Sequence, residues 1–157
     1  MTATTESITL VAVPWTHPHP GRLRDQMDAE LAPRYADLRA QRGPRRAVDP
    51  SSVRVTYVAY DGERPVGTAA LRLAHGQHEV KRVFVAPTHR RLGLGTRLLD
   101  ALEAWALDVG VRRIVLQTGV RQPDAVALYQ REGWQPIEPF GEYVGDTISL
   151  CFSKELS

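Results

Sequence analysis

The chain has 157 residues, 43% of them hydrophobic and 24% charged, with a net charge of +2. That length supports one continuous core and a single domain over 1–157, and so small a net charge gives no reason to expect nucleic acid as a partner. No apolar run approaches the ~20 residues that cross a bilayer, the start MTATTESITLVAV lacks a signal peptide's basic region, and the lone Cys151 allows no internal disulfide, which together point to a cytoplasmic protein.

Ile8 to Val13 is a short apolar run and predicts a first strand. Pro14, Pro18 and Pro20 then argue against regular structure through WTHPHPG. His17 and His19 have no third ligand nearby, so an exposed loop is the better reading than a metal site. Leu23, Met27 and Leu31 mark one helix face; Pro33 either ends that helix or starts a second, with Tyr35 and Leu38 on its apolar side. Gln41 to Ser52, basic and rich in Pro and Ser, reads equally as lid or linker. Val53 to Tyr60 and Pro65 to Leu73 form a hairpin around Asp61-Gly62. After a turn at 74–77 comes a fourth strand in meander order.

That strand leads into the most informative stretch of the chain. Val80, Val83, Phe84 and Val85 are β-branched or aromatic, and Pro87 ends the pairing. A basic turn, Thr88 to Arg91, precedes Gly93 and Gly95, which open a helix. Leu98, Leu99, Leu102, Trp105, Ala106 and Val109 share one face of it, and Gly110 suits a left-handed C-cap. A strand delivered through a Gly-containing turn into a helix N-terminus forms an anion site, because the first-turn N–H groups have no intrahelical acceptor. The two glycines would admit a phosphate, with Arg90, Arg91 and Arg97 adding positive charge. An ordinary strand–turn–helix with a solvated basic turn is the alternative. The stretch is neither a P-loop nor a dinucleotide fingerprint.

Val111 to Gln117 predicts a fifth strand, parallel to the fourth because a helix joins them. Pro123 and Asp124 suit the first turn of a further helix, which Gly133 closes. Trp134 to Ile137 and Thr147 to Lys154 are the last strands.

Arg90-Arg91-Leu92-Gly93-Leu94-Gly95 resembles the Arg/Gln-x-x-Gly-x-Gly/Ala motif of the GCN5-related N-acetyltransferases, the GNAT superfamily, and Val83 to Pro87 looks like that family's fourth strand. Ala125 to Trp134 resembles its second motif, a helical Tyr before a Gly-aromatic pair. The resemblance implies an α/β (α+β) fold: a mixed sheet of six to seven strands with four helices, two of them short and following the first strand. The sheet would splay between its fourth and fifth strands to admit acetyl-CoA. The arm of acetyl-CoA would lie along Val83, Phe84 and Val85, and its pyrophosphate on the N–H groups of Arg91, Leu92, Gly93, Leu94, Gly95 and Thr96, beside Arg90. No metal is implied. Gln122 and Asp124 stand where the family often carries an Asn, and take no role from it.

The implied reaction is direct transfer of an acetyl group to a primary amine in a ternary complex. Tyr129 matches the family's general acid, and a phenol with a pKa near ~10 carries a proton to donate; otherwise it is a core aromatic. Glu79 matches the catalytic glutamate of histone-acetylating members, and alternation would put Glu79, Lys81, Val83 and Val85 on one face. A strand-end Glu is also commonly just solvated. His75 and His78 rank below Glu79, and Cys151 reads as a small buried hydrophobe. Phe140 and Tyr143 would line the acceptor pocket or merely pack. A small polar molecule or a peptide is the expected acceptor class, and dimers are common in such folds. The competing reading is a non-catalytic acyl-CoA-binding module that regulates a partner.

Overall fold

The computed structural model describes residues 7–42 and 47–157, so the expectation for Gln41 to Ser52 falls partly outside it. β1 (Ile8–Val13) is followed by α1 (Pro18–Arg42), the strands β2 (Val53–Asp61), β3 (Arg64–Ala74) and β4 (Gln77–Val85), then α2 (Leu94–Asp108). The chain continues through β5 (Arg113–Gly119), α3 (Pro123–Arg131), β6 (Gln135–Ile137) and β7 (Ser149–Glu155). The seven strands form one mixed sheet in the order β1-β2-β3-β4-β5-β7-β6.

The expected meander is present, as β1 to β4 pair antiparallel in sequence. The α2 crossover makes β4 and β5 parallel. One face of the sheet carries α2, whose Leu98, Leu99 and Leu102 are fully buried against Val66, Leu71, Ile114 and Leu116. On the other face, Leu23 of α1 packs on Val58 and Phe84.

Three expectations need correction. The region after β1 is not irregular and then divided into two short helices. It is one helix, so the described residues hold three α-helices rather than four. Pro18 and Pro20 lie in its first turn, where a missing N–H leaves no intrahelical bond unmade. Pro33 is mid-helix, where it costs about 3 kcal/mol in isolation; burial of Leu23 and Leu31 offsets that locally.

The third correction concerns β4. Thr68 pairs with Phe84 but Ala70 pairs with Lys81, so β4 carries an extra residue. Arg82 sits there at φ 61°, a β-bulge that resets the alternation. Val83 and Val85 therefore pack with Val80 on the α2 side, while Phe84 faces α1. The row that starts at Glu79 and Lys81 does not continue to Val83. Arg82 is held in this conformation by bonds to the Arg24 carbonyl (3.1 Å) and Asp28 (2.7 Å) on α1.

Candidate functional site

β4 and β5 pair only at Glu79–Val115 and Val80–Leu116. Beyond that, β4 runs on to Val85 beside β3 and β5 to Gly119 beside β7 without pairing with each other, and a cleft of about 290 Å³ lies beside this run of β4. Its walls are Val83 to Val85, the start of α2, Gln122, Ala125, Leu128 and Tyr129 around α3, and Met27, Glu30 and Leu31 of α1. The Ala86 N–H reaches the Val66 carbonyl on the β3 side (2.8 Å). By alternation, Val83 and Val85 turn their backbone groups into the cleft.

The turn after β4 has Arg91 at φ 65° and Gly93 at φ 76°. Gly93 is the N-cap of α2 and contributes no side chain, so the first-turn N–H groups of α2 receive no side-chain cap. The two glycines serve different ends. Gly93 supplies a left-handed conformation, whereas a Cβ on Gly95 would stand 3.1 Å from Leu128 Cδ2, so Gly95 lets α2 approach α3. Leu92 packs half-buried on the main core, and the Thr96 hydroxyl donates to Glu132 (2.6 Å).

The three arginines also part company. Arg97 reaches the Ile8 carbonyl on β1 (3.1 Å) and does not line the cleft. Arg91 lines it. Arg90 lines it too, with Nε on the Val85 carbonyl (2.9 Å) and a two-pronged bond to Glu30 (2.7 Å each).

Tyr129 lines the cleft from α3 and is 6% exposed. Its ring meets Trp134 edge-on at 6.0 Å and lies near Phe152 at 6.3 Å. Burial pushes its phenol well above the ordinary tyrosine pKa, so it is protonated throughout the neutral range.

Glu79 is 1% exposed and is not among the residues lining the cleft. Arg72 Nε donates to its Oε1 (2.8 Å), and the Tyr143 hydroxyl donates to its Oε2 (2.8 Å). Lys81 donates in turn to the Tyr143 oxygen (2.9 Å), and Arg72 also binds Glu142 (2.9 Å). Burial, and then the charge of Glu79, push the Tyr143 phenol upward. Phe140 and Tyr143 are buried with Val115 and Cys151 and do not line the cleft. Burial raises the Cys151 thiol, as suits a small hydrophobe. His75 packs its ring against Gly141, and burial and then Arg54 lower the pKa of His78.

Two residues outside the motifs also shape the site. Gln122 accepts from the Gly119 N–H (3.0 Å) and from the Tyr35 hydroxyl of α1 (3.1 Å), which ties α1 to the end of β5. Tyr35 and Gln122 are 87 residues apart, and no local pattern pairs them.

The sequence signature of the Acetyltransferase (GNAT) family matches residues 15–134. The chain belongs to that family. Among curated proteins, a relative named IAA acetyltransferase, from Azospirillum brasilense, is 41% identical over 90 residues. The match covers 57% of this chain and 59% of that protein, so the chain spans under two thirds of this curated relative. A Klebsiella pneumoniae structure, provisionally described as an acyl-CoA N-acyltransferase, is 31% identical with a TM-score of 0.79, covering 96% of this chain and 98% of that one. A GNAT acetyltransferase from Elizabethkingia anophelis, solved with acetyl-CoA bound, shares the fold at a TM-score of 0.69 and 19% identity, covering 97% of this chain and 100% of that one. The parallel β4–β5 pair within a mixed seven-stranded sheet is the GNAT architecture.

Proposed function

We propose that this GNAT chain transfers an acetyl group from acetyl-CoA to a primary amine of a small molecule or peptide, by direct attack in a ternary complex. The observation that carries the reading is the splay beyond Val80–Leu116, whose cleft holds both the uncapped N-terminus of α2 and Tyr129. The cleft suits the donor in three ways. The inward backbone groups of Val83 and the Val85 N–H can take an extended arm as a further strand would be taken, the Val85 carbonyl being held by Arg90. The first-turn N–H groups from Leu94 to Thr96 can hold a pyrophosphate, with Arg91 and Arg90 at its edge. Gly93 brings no side chain into that space.

Acetyl-CoA supplies an activated thioester when bound. Tyr129 acts as the general acid: its phenol donates a hydrogen bond, then a proton, to the leaving sulfur. Its burial keeps that proton in place at neutral pH. Glu79 is the proposed base. With Arg72 on one oxygen, Tyr143 on the other and the carboxylate outside the cleft lining, it takes an ammonium proton through an intervening water or after the Tyr143 bond shifts. The same engagement is the one observation that favours a donor-binding module without turnover.

Thiol release from acetyl-CoA tests the reading, using a panel of amino acids, polyamines, aminoglycosides and short peptides. Release with one acceptor class establishes the enzyme and its substrate chemistry. Donor binding without release across the panel favours the binding module.

A further inference from the structure

Arg90 has two partners, and both stand in the proposed path of the donor. Its Nε bonds the Val85 carbonyl, which faces the cleft. Its two terminal nitrogens grip the two oxygens of Glu30, each at 2.7 Å. Glu30 belongs to α1, across the cleft from the turn that carries Arg90, and both side chains line the cleft. They remain partly open, at 39% for Arg90 and 31% for Glu30. A carboxylate thus lies against a cleft arginine that also holds β4. Elsewhere α1 is tied down by Asp28 to Arg82 (2.7 Å) and by Asp37 to Arg121 (2.7 Å), both pairs outside the cleft lining. The Glu30 pair is the tie that an anionic ligand would meet.

We infer that Glu30 is a positioning residue that competes with the donor for Arg90, so that donor binding exchanges the Glu30–Arg90 pair for contacts between Arg90 and the donor's phosphates. The exchange rests on the donor site proposed above. A planar guanidinium prefers a two-pronged anion, and it cannot grip a carboxylate and a phosphate in the same two-pronged way at once. Breaking the pair also removes one polar tie on α1, which buried Leu31 and the Tyr35–Gln122 bond continue to hold. The bond from Arg90 holds the Glu30 carboxyl below its ordinary range, which keeps the competitor charged at neutral pH.

The test is a double-mutant cycle read by calorimetric binding of CoA to the full chain. Glu30→Gln removes the competitor and should tighten CoA by about fivefold, the size expected for a partly exposed ion pair. In an Arg90→Ala background the same Glu30→Gln change should leave affinity unaltered. Unchanged or weaker binding by Glu30→Gln overturns the competition. So does equal tightening in the Arg90→Ala background, because plain repulsion between Glu30 and phosphate would then explain it. Failure of CoA to bind wild type and every variant would instead remove the donor site itself, and this inference with it.

Discussion

The two faces of the sheet are held by different forces. On the α2 face, Leu94, Leu98, Leu99, Leu102 and Ala106 form a dry stripe, all of it buried. On the α1 face, Leu23, Met27 and Leu31 supply the apolar contact, and ion pairs from Asp28, Glu30 and Asp37 supply much of the rest. The α2 face carries the proposed phosphate cradle and Tyr129. It is rigid because close-packed interiors yield little. The α1 face holds one wall of the cleft with contacts that water and salt can replace. The lesson is a division of labour: one side fixes geometry, the other can adjust to a ligand.

The largest expected effect attacks the dry face. Leu98→Ala removes a fully buried side chain and should cost about 2–5 kcal/mol, read from the denaturant midpoint. A loss below 1 kcal/mol would mean that the α2 face is looser than described. Next is Tyr129→Phe, which keeps the ring packing against Trp134 and removes only the hydroxyl. It should lower kcat about 100-fold while CoA affinity holds; a full rate would remove Tyr129 as the acid. Glu79→Gln probes the polar network and should have a smaller, pH-dependent effect. If Glu79 is the base, the defect shrinks as pH rises and the amine loses its own proton, whereas a defect equal at all pH values marks a structural role. Smallest is the effect of salt. Raising ionic strength should speed hydrogen exchange in α1 and leave α2 unchanged, and parallel changes in both helices would erase the contrast between the faces.

A further expectation follows from the two buried phenols. Tyr129 and Tyr143 are raised above their unfolded value near ~10, so their contribution is intact below that pH and is lost as pH climbs through their folded values. Alkaline titration of stability should therefore turn downward above about pH 10, and Tyr143→Phe should flatten part of the descent.

Much of the architecture was legible because its signals are local. Asp61-Gly62 announced the hairpin, Pro123 began α3, and the Gly93 turn announced the uncapped helix. The α2 stripe at three- and four-residue steps located the core. Prolines misled where their position within a helix mattered more than their presence: at 18 and 20 they occupy a first turn, and at 33 they do not stop α1. The bulge at Arg82 was invisible because its anchors, Asp28 and the Arg24 carbonyl, lie on a distant helix. Glu79 was legible as a catalytic carboxylate or a solvated strand-end residue, and its burial was not, because its partner Tyr143 is 64 residues away.

By itself, then, the sequence determined the order and types of most elements, the parallel β4–β5 crossover and the family, because turn chemistry, periodicity and motif spacing act over a few residues. Tertiary structure alone decided that Arg90 is gripped by Glu30, that Arg97 points away, that Gly95 serves helix packing and that Glu79 has both oxygens engaged. Each of these depends on which distant group fills a buried or charged side chain's surroundings, and desolvation and hydrogen bonding settle that only once the chain has folded.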